Sequence, residues 1–157
     1  MREENSMKRF LYVLLVSVMV SIFPLNAFAA ESEEVQNITY FEDGSYLVET
    51  IVTVQTRASG TKTGSKAHSF YNDENTMLWR AVLTGTFTYT GSSSTCTASN
   101  CSVTIYDSSW YTVSKSATKS GNTANAAVTM GEKLLGVTVR KVSTNIAISC
   151  DANGNLS

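Results

Sequence analysis

The residues able to do chemistry in this chain are few and widely spaced. His68 is the single histidine, cysteines stand at 96, 101 and 150, and the carboxylates are thinly spread. A hydroxyl or thiol nucleophile needs a base within hydrogen-bond reach, so any Ser-His-Asp or Cys-His arrangement must use His68. No G-x-S-x-G elbow presents a nucleophile, and His68 falls in a short stretch of strand behind the flexible run Ala58 to Lys66. Glycoside hydrolysis needs two carboxyl groups, available from Glu49, Asp73, Glu74 and Asp107. Asp73 and Asp107 occupy turn sequences, however, and the alternation around Glu49 predicts a solvent-facing strand position. Oxygen ligands for Ca²⁺ occur at Asp43 and from Asn72 to Asn75, but their spacing matches no loop of fixed coordination. Cys96 and Cys101 form a C-x4-C without a second pair, which is too few ligands for zinc. No cofactor or metal is expected.

Aromatic residues are the better lead. Trp110 and Tyr111 are adjacent, so on a strand they point to opposite faces and one leaves the core side. An exposed ring beside Asp107 and Ser108 could stack on a sugar or dock a peptide, which makes Trp110, Tyr111 and Asp107 the candidate binding residues. The competing expectation is that both rings pack, one in the core and one under a loop.

These residues must be positioned by strands. Met77 to Tyr89, MLWRAVLTGTFTY, is apolar or Gly at every odd position, which predicts a long strand with one buried face and a bulge or bend at Gly85. Tyr46 to Thr56 alternates with Tyr46, Val48, Val52 and Val54 on the apolar side and Glu49 opposite. The turn Glu42 to Ser45 joins it to a short first strand, Asn37 to Phe41. Further strands follow at Ala67 to Tyr71, around Cys101, Val103 and Ile105, from Trp110 to Lys119, and from Ala124 to Met130. Gly121-Asn122 marks a type II′ hairpin turn, and Gly131-Glu132-Lys133 marks another turn. The last strand changes phase, from Val137 and Val139 to Val142, Ile146 and Ile148, so a bulge belongs near Arg140-Lys141. About eight strands and no helical periodicity predict an all-β fold, a single antiparallel β-sandwich of immunoglobulin-like size.

The N-terminus carries its own signal. Met7, Lys8 and Arg9 precede a run of Leu, Val and Ile that ends at Pro24, then Asn26-Ala27-Phe28-Ala29, the pattern of a secretory signal peptide cut after Ala29. Residues 1–29 are thus expected to be removed, 30–36 to be a polar lead and 37–157 to be the domain; translation can begin at Met1 or Met7. The mature chain would be secreted, extracellular and without a membrane span. Of the 12 basic and 13 acidic residues, three and two fall in the signal, leaving a net charge of −2 with scattered cations. That pattern offers nothing to nucleic acid or a phospholipid surface. Thirty-eight of residues 30–157 are Ser or Thr, and Pro is absent after Pro24, which suits strands rather than a Pro-rich stalk.

Three cysteines in an exported chain imply one disulfide and one thiol left over. Cys150 lies on the face of Val142, Ile146 and Ile148, and spacing alone does not choose between Cys96 and Cys101 as its partner. Either bridge closes a loop of about 50 residues, stabilising by roughly 3–4 kcal/mol in the chain-entropy model.

Through LWRAVLTGTFTYTG, CTAS, the Trp in YDSSW, SGNTANA and the closing SCDANGNLS, the chain resembles a group of small uncharacterised secreted proteins of Gram-positive, mostly clostridial, bacteria. The likeness covers most of residues 70–157. It implies a disulfide between Cys96 and Cys150 and leaves Cys101 as a departure, either a free thiol or the link of a dimer; otherwise a monomer is expected. The group has no established activity. The leading expectation is a secreted, non-enzymatic β-sandwich that binds a protein or glycan at the cell envelope or in the surroundings. The alternatives are a secreted antagonistic factor of toxin or bacteriocin type and a small hydrolase using His68.

Overall fold

The computed structural model describes residues 31–54 and 60–157, so the expected signal peptide lies outside the described residues, whereas the expected loop Ala58 to Lys66 is strand from Thr61 onward, its Gly, Ser and Lys residues paired between the two neighbouring strands. Eight strands follow in order: β1 (Glu31–Tyr40), β2 (Tyr46–Val54), β3 (Thr61–Tyr71), β4 (Met77–Tyr89), β5 (Ser94–Ile105), β6 (Trp110–Ser120), β7 (Thr123–Leu134) and β8 (Val137–Ser149). Sequence neighbours pair antiparallel except β5 and β6, where the chain crosses between layers, giving a five-stranded sheet β1-β2-β3-β4-β5 and a three-stranded sheet β6-β7-β8. The expected sandwich is the observed one, with a meander in each layer.

The core lies between β3, β4 and β5 below and the small sheet above, with β8 over β3 and β7 over β4 and β5. Trp79, Ala81, Leu83 and Phe87 from β4 are fully buried, as their odd positions predict. They meet Ala124, Val128 and Met130 of β7 and Ile146 and Ile148 of β8. Gly85 is required by close approach: a Cβ there would sit 2.6 Å from the Phe87 ring and 3.1 Å from Ala124 Cβ. The irregularity expected at Gly85 occurs just beyond it, between Thr86 and Phe87.

Three elements differ from the sequence reading. The polar lead is largely strand, since β1 starts at Glu31 and pairs with β2 along its length, with a bulge at Gln36. The Gly131-Glu132-Lys133 turn does not form; β7 continues to Leu134, and the chain reverses at Leu135-Gly136. The bulge of β8 falls at Val139, next to the expected Arg140, because Glu132 pairs Arg140 while Lys133 pairs Thr138.

A further difference bears on function. In β2 the face toward the small sheet is Leu47, Glu49 and Ile51, paired with Phe70, His68 and Lys66 of β3. Tyr46, Val48 and Val52 therefore lie on the outer face of the large sheet, the reverse of the expected orientation. Alternation fixes that two faces exist but does not say which one is covered. The small sheet is only three strands wide, and it leaves β1 and β2 overhanging.

Candidate functional site

Trp110 begins β6 and is 4% exposed. Its ring packs on Phe70 at 5.2 Å and Trp79 at 6.2 Å between centroids, so the candidate binding residue of the sequence reading is a core residue. Tyr111 points the other way and lies over Gly131, where a Cβ would come within 2.6 Å of the ring. Its hydroxyl is 2.6 Å from Thr138 Oγ1, and Lys133 Nζ stands 4.3 Å from the ring centroid. Asp107 is a turn cap: its Oδ1 accepts the Ser109 N–H at 2.7 Å, and the Ser109 bonds hold its carboxyl below the usual range. The three candidates thus do not converge on one site, and only Tyr111 reaches the surface as a ring.

His68 sits at the open side of the core, where β8 is the last strand above the large sheet. Nδ1 is 2.5 Å from Thr144 Oγ1 and Nε2 is 3.2 Å from Glu49 Oε2. Glu49 Oε1 is also 3.0 Å from Lys66 Nζ. Burial is the main influence on His68 and lowers its pKa against the opposing pull of Glu49, so the ring is neutral at pH 7. Burial works to raise the Glu49 carboxyl, but the hydrogen bond and charge of Lys66, joined by the hydrogen bond of His68, prevail and hold it below the ordinary value. A neutral ring donating from Nε2 to Glu49 accepts the Thr144 hydroxyl proton at Nδ1. Carboxylate, imidazole and hydroxyl in that order are the parts of a relay, yet Thr144 is itself buried, so its hydroxyl faces the inter-sheet space. Glu49, expected in solvent, is a member of this inward cluster. Sequence reasoning missed it because a charged residue on a covered face runs against the usual pattern.

Cys96, Cys101 and Cys150 are all buried and all free; no two sulfurs are bonded, in contrast to the Cys96–Cys150 bridge that the resemblance implies. Burial raises the Cys96 and Cys101 thiols despite the nearby charges of Lys119 and Lys115. The remaining oxygen-rich stretches are turns. Asn72 Oδ1 accepts the Glu74 and Thr76 N–H groups, and Asp43 accepts from Ser45 and Arg140. Among the described residues no three His, Cys, Asp or Glu side chains cluster as metal ligands. A depression of about 420 Å³ at the other end of the molecule is lined by Gly60, Tyr89, Thr90, Gly91, Ala152 and Asn153, with no carboxylate, imidazole or thiol.

The surface that stands out is the outer face of β1, β2 and β3. The registers place Val35, Ile38 and Tyr40 beside Thr50, Val48 and Tyr46, which lie beside Ala67, Ser69 and Tyr71. Tyr40, Tyr46 and Tyr71 form a ladder with ring centroids 5.6 and 4.9 Å apart, and the second pair is stacked at 5°. Tyr40 is 71% exposed, and Val35 and Ile38 are exposed as well; Tyr46, Val48 and Tyr71 are half-buried, and Thr50, Ala67 and Ser69 beside them are buried. Among the described residues β1 pairs only with β2, so these apolar side chains continue to the edge strand of the described sheet. In the sequence this face shows as the alternation of β2, which carries no information on which side the second sheet covers.

Comparison with protein-family models, with curated proteins and with solved structures finds no match to this chain.

Proposed function

We propose that the protein is exported and acts without catalysis, by binding another protein along β1 and the adjoining outer face of the large sheet. The observation that carries this reading is the apolar strip Val35, Ile38, Tyr40, Val48, Tyr46 and Tyr71 running up to an edge strand. An edge strand offers unpaired main-chain N–H and C=O groups, and an extended segment that adds to it gains hydrogen bonds from the backbone and contacts from alternate side chains. A protein fits better than a glycan. Sugars stack on open ring faces, whereas Tyr46 and Tyr71 lie face to face at 4.9 Å and turn their edges outward. The non-enzymatic part of the reading is supported by the burial of the Thr144 hydroxyl beside His68.

The test is binding of the labelled protein to Gram-positive cells, native, protease-shaved or glycan-stripped. Protease treatment is expected to abolish binding, and Ile38→Lys to weaken it about tenfold, the loss expected for one well-placed contact. Retention after proteolysis with loss after glycan stripping would replace protein by glycan as the partner. An antagonistic role is favoured by one separate feature, the exposed apolar hairpin joining β7 to β8, and growth inhibition of neighbouring bacteria would measure it.

A further inference from the structure

The net charge of −1 conceals a division between the two sheets. Residues 31–105, which build the large sheet, contain eight acids and four bases. Residues 108–150, which build the small sheet, contain five bases, Lys115, Lys119, Lys133, Arg140 and Lys141, against the single acid Glu132. An asymmetry of this kind points to an anionic partner for one half of a molecule whose whole is nearly neutral.

The positive sheet ends in an apolar tip. The β6–β7 ladder stops at Trp110↔Glu132, whereas the β7–β8 ladder runs on to Leu134↔Val137, so the final rungs and the turn stand clear of β6. There Leu134, Leu135, Val137 and Val139 are 63, 97, 65 and 54% exposed. Leu135 takes φ +50 and Gly136 φ +82, a two-residue turn in which Asn, Asp or Gly normally fills the first left-handed position. Leu is unfavourable there twice over, by its backbone and by its contact with water. Both costs are offset if the side chain enters hydrocarbon. Lys133, Arg140 and Lys141 stand on the strands behind the tip, and Tyr111, hydrogen-bonded to Thr138, braces its base. Ile105 at the end of β5 and Tyr106 just after it are exposed as well. Apolar tip, cationic stem and tyrosine collar follow the order of layers at a membrane surface.

We infer that the Leu134–Val139 hairpin inserts into an anionic phospholipid bilayer, with Lys133 and Lys141 at the level of the lipid headgroups. A convex tip with apolar side chains along it needs a shaped pocket in a protein but only a surface in a lipid. Nucleic acid would meet the cations and leave the apolar tip in water. Arg140 is ion-paired with Asp43 of the β1–β2 turn, so Lys133 and Lys141 are the cations that meet the lipid headgroups. The inference rests on the tip itself and on neither reading in the preceding section.

Co-sedimentation with vesicles tests it, comparing phosphatidylglycerol–phosphatidylcholine mixtures with phosphatidylcholine alone. The protein is expected to prefer the anionic vesicles. Leu135→Asn should reduce that binding about tenfold, the loss of one buried leucine, while its thermal midpoint stays equal to or above that of the parent, since Asn tolerates the left-handed turn. Lys141→Glu should weaken binding to anionic vesicles only. Both variants carry the same N-terminal segment as the parent, so that segment cannot create a difference. No binding to anionic vesicles, or equal binding by the parent and Leu135→Asn, overturns the inference. Vesicle binding unchanged in Leu135→Asn with cell binding lost would assign the tip to a protein pocket and also overturn it. The cell-binding test with Ile38→Lys reads a different surface, so the two ideas fail separately.

Discussion

At the scale of single residues, adjacent aromatics have opposite fates. Trp110 fills the gap between Phe70 and Trp79, and Trp110→Ala is expected to cost about 3–5 kcal/mol of stability without altering partner affinity in the molecules that remain folded. Chemical denaturation beside a binding titration separates the two effects. His68 gives the pH dependence. Its folded pKa is lowered from 6.5 by burial, so the unfolded chain takes up the proton first as pH falls. Stability is complete above about pH 6.5, declines as pH falls from there toward the folded pKa, and gains no further loss from this group below it. Glu49, also lowered, adds a second decline below its ordinary value of 4.5. Thermal midpoints measured from pH 8 to 4 should show the first decline in the parent and a flatter curve in His68→Gln; identical curves would remove His68 as its source. The buried Cys96 and Cys101 thiols, raised by burial, should react slowly with a thiol reagent until the protein is unfolded.

At the scale of elements, the strands were legible and their surroundings were not. The bounds of β4 and its buried face follow from its alternation, with apolar residues or Gly at odd positions and polar residues at the even ones apart from Leu78 and Val82. Gly85→Ala tests that packing: its methyl group overlaps the Phe87 ring, which is itself fully buried, and should cost about 1–3 kcal/mol in denaturant titration. The orientation of β2 was not legible, since the choice between Val48 and Glu49 as the inward residue depends on how far the small sheet extends. Only the position of Thr144 on β8, within reach of His68, decides it. The β7–β8 turn was hidden for a different reason. Leu135 violates turn chemistry, and a rule broken at one place without a structural return is a mark of function. The polar start of β1 was hidden because Glu-rich composition describes a solvated terminus and a protected edge strand equally well.

At the scale of the whole molecule, a five-stranded sheet covered by a three-stranded one cannot bury both apolar faces that its sequence contains. Val35, Ile38 and Tyr40 on β1 and the protruding β7–β8 tip are where apolar side chains meet solvent, whereas Thr50, Val52, Ala67 and Ser69 on the same outer face are buried, and the two places belong to sheets of opposite charge balance. Counting charges along the chain gave a nearly neutral protein, because sequence order does not say which cations share a layer. Chemistry-bearing residues were the easiest to name in the sequence and prove to be the least available, since His68, Trp110 and all three cysteines are buried.

The central claim is that the outer face of β1 and β2 is the contact surface. Footprinting tests it directly, because the native thiols are buried and a new surface cysteine can be labelled selectively. Tyr40→Cys places a thiol on that face and Thr118→Cys places one on the exposed outer face of β6. With Gram-positive cells present, maleimide labelling of the Tyr40→Cys variant should slow about tenfold while that of the Thr118→Cys variant is unchanged, as expected when a bound partner excludes solvent from one face only. Equal labelling of both variants with and without cells would contradict the account.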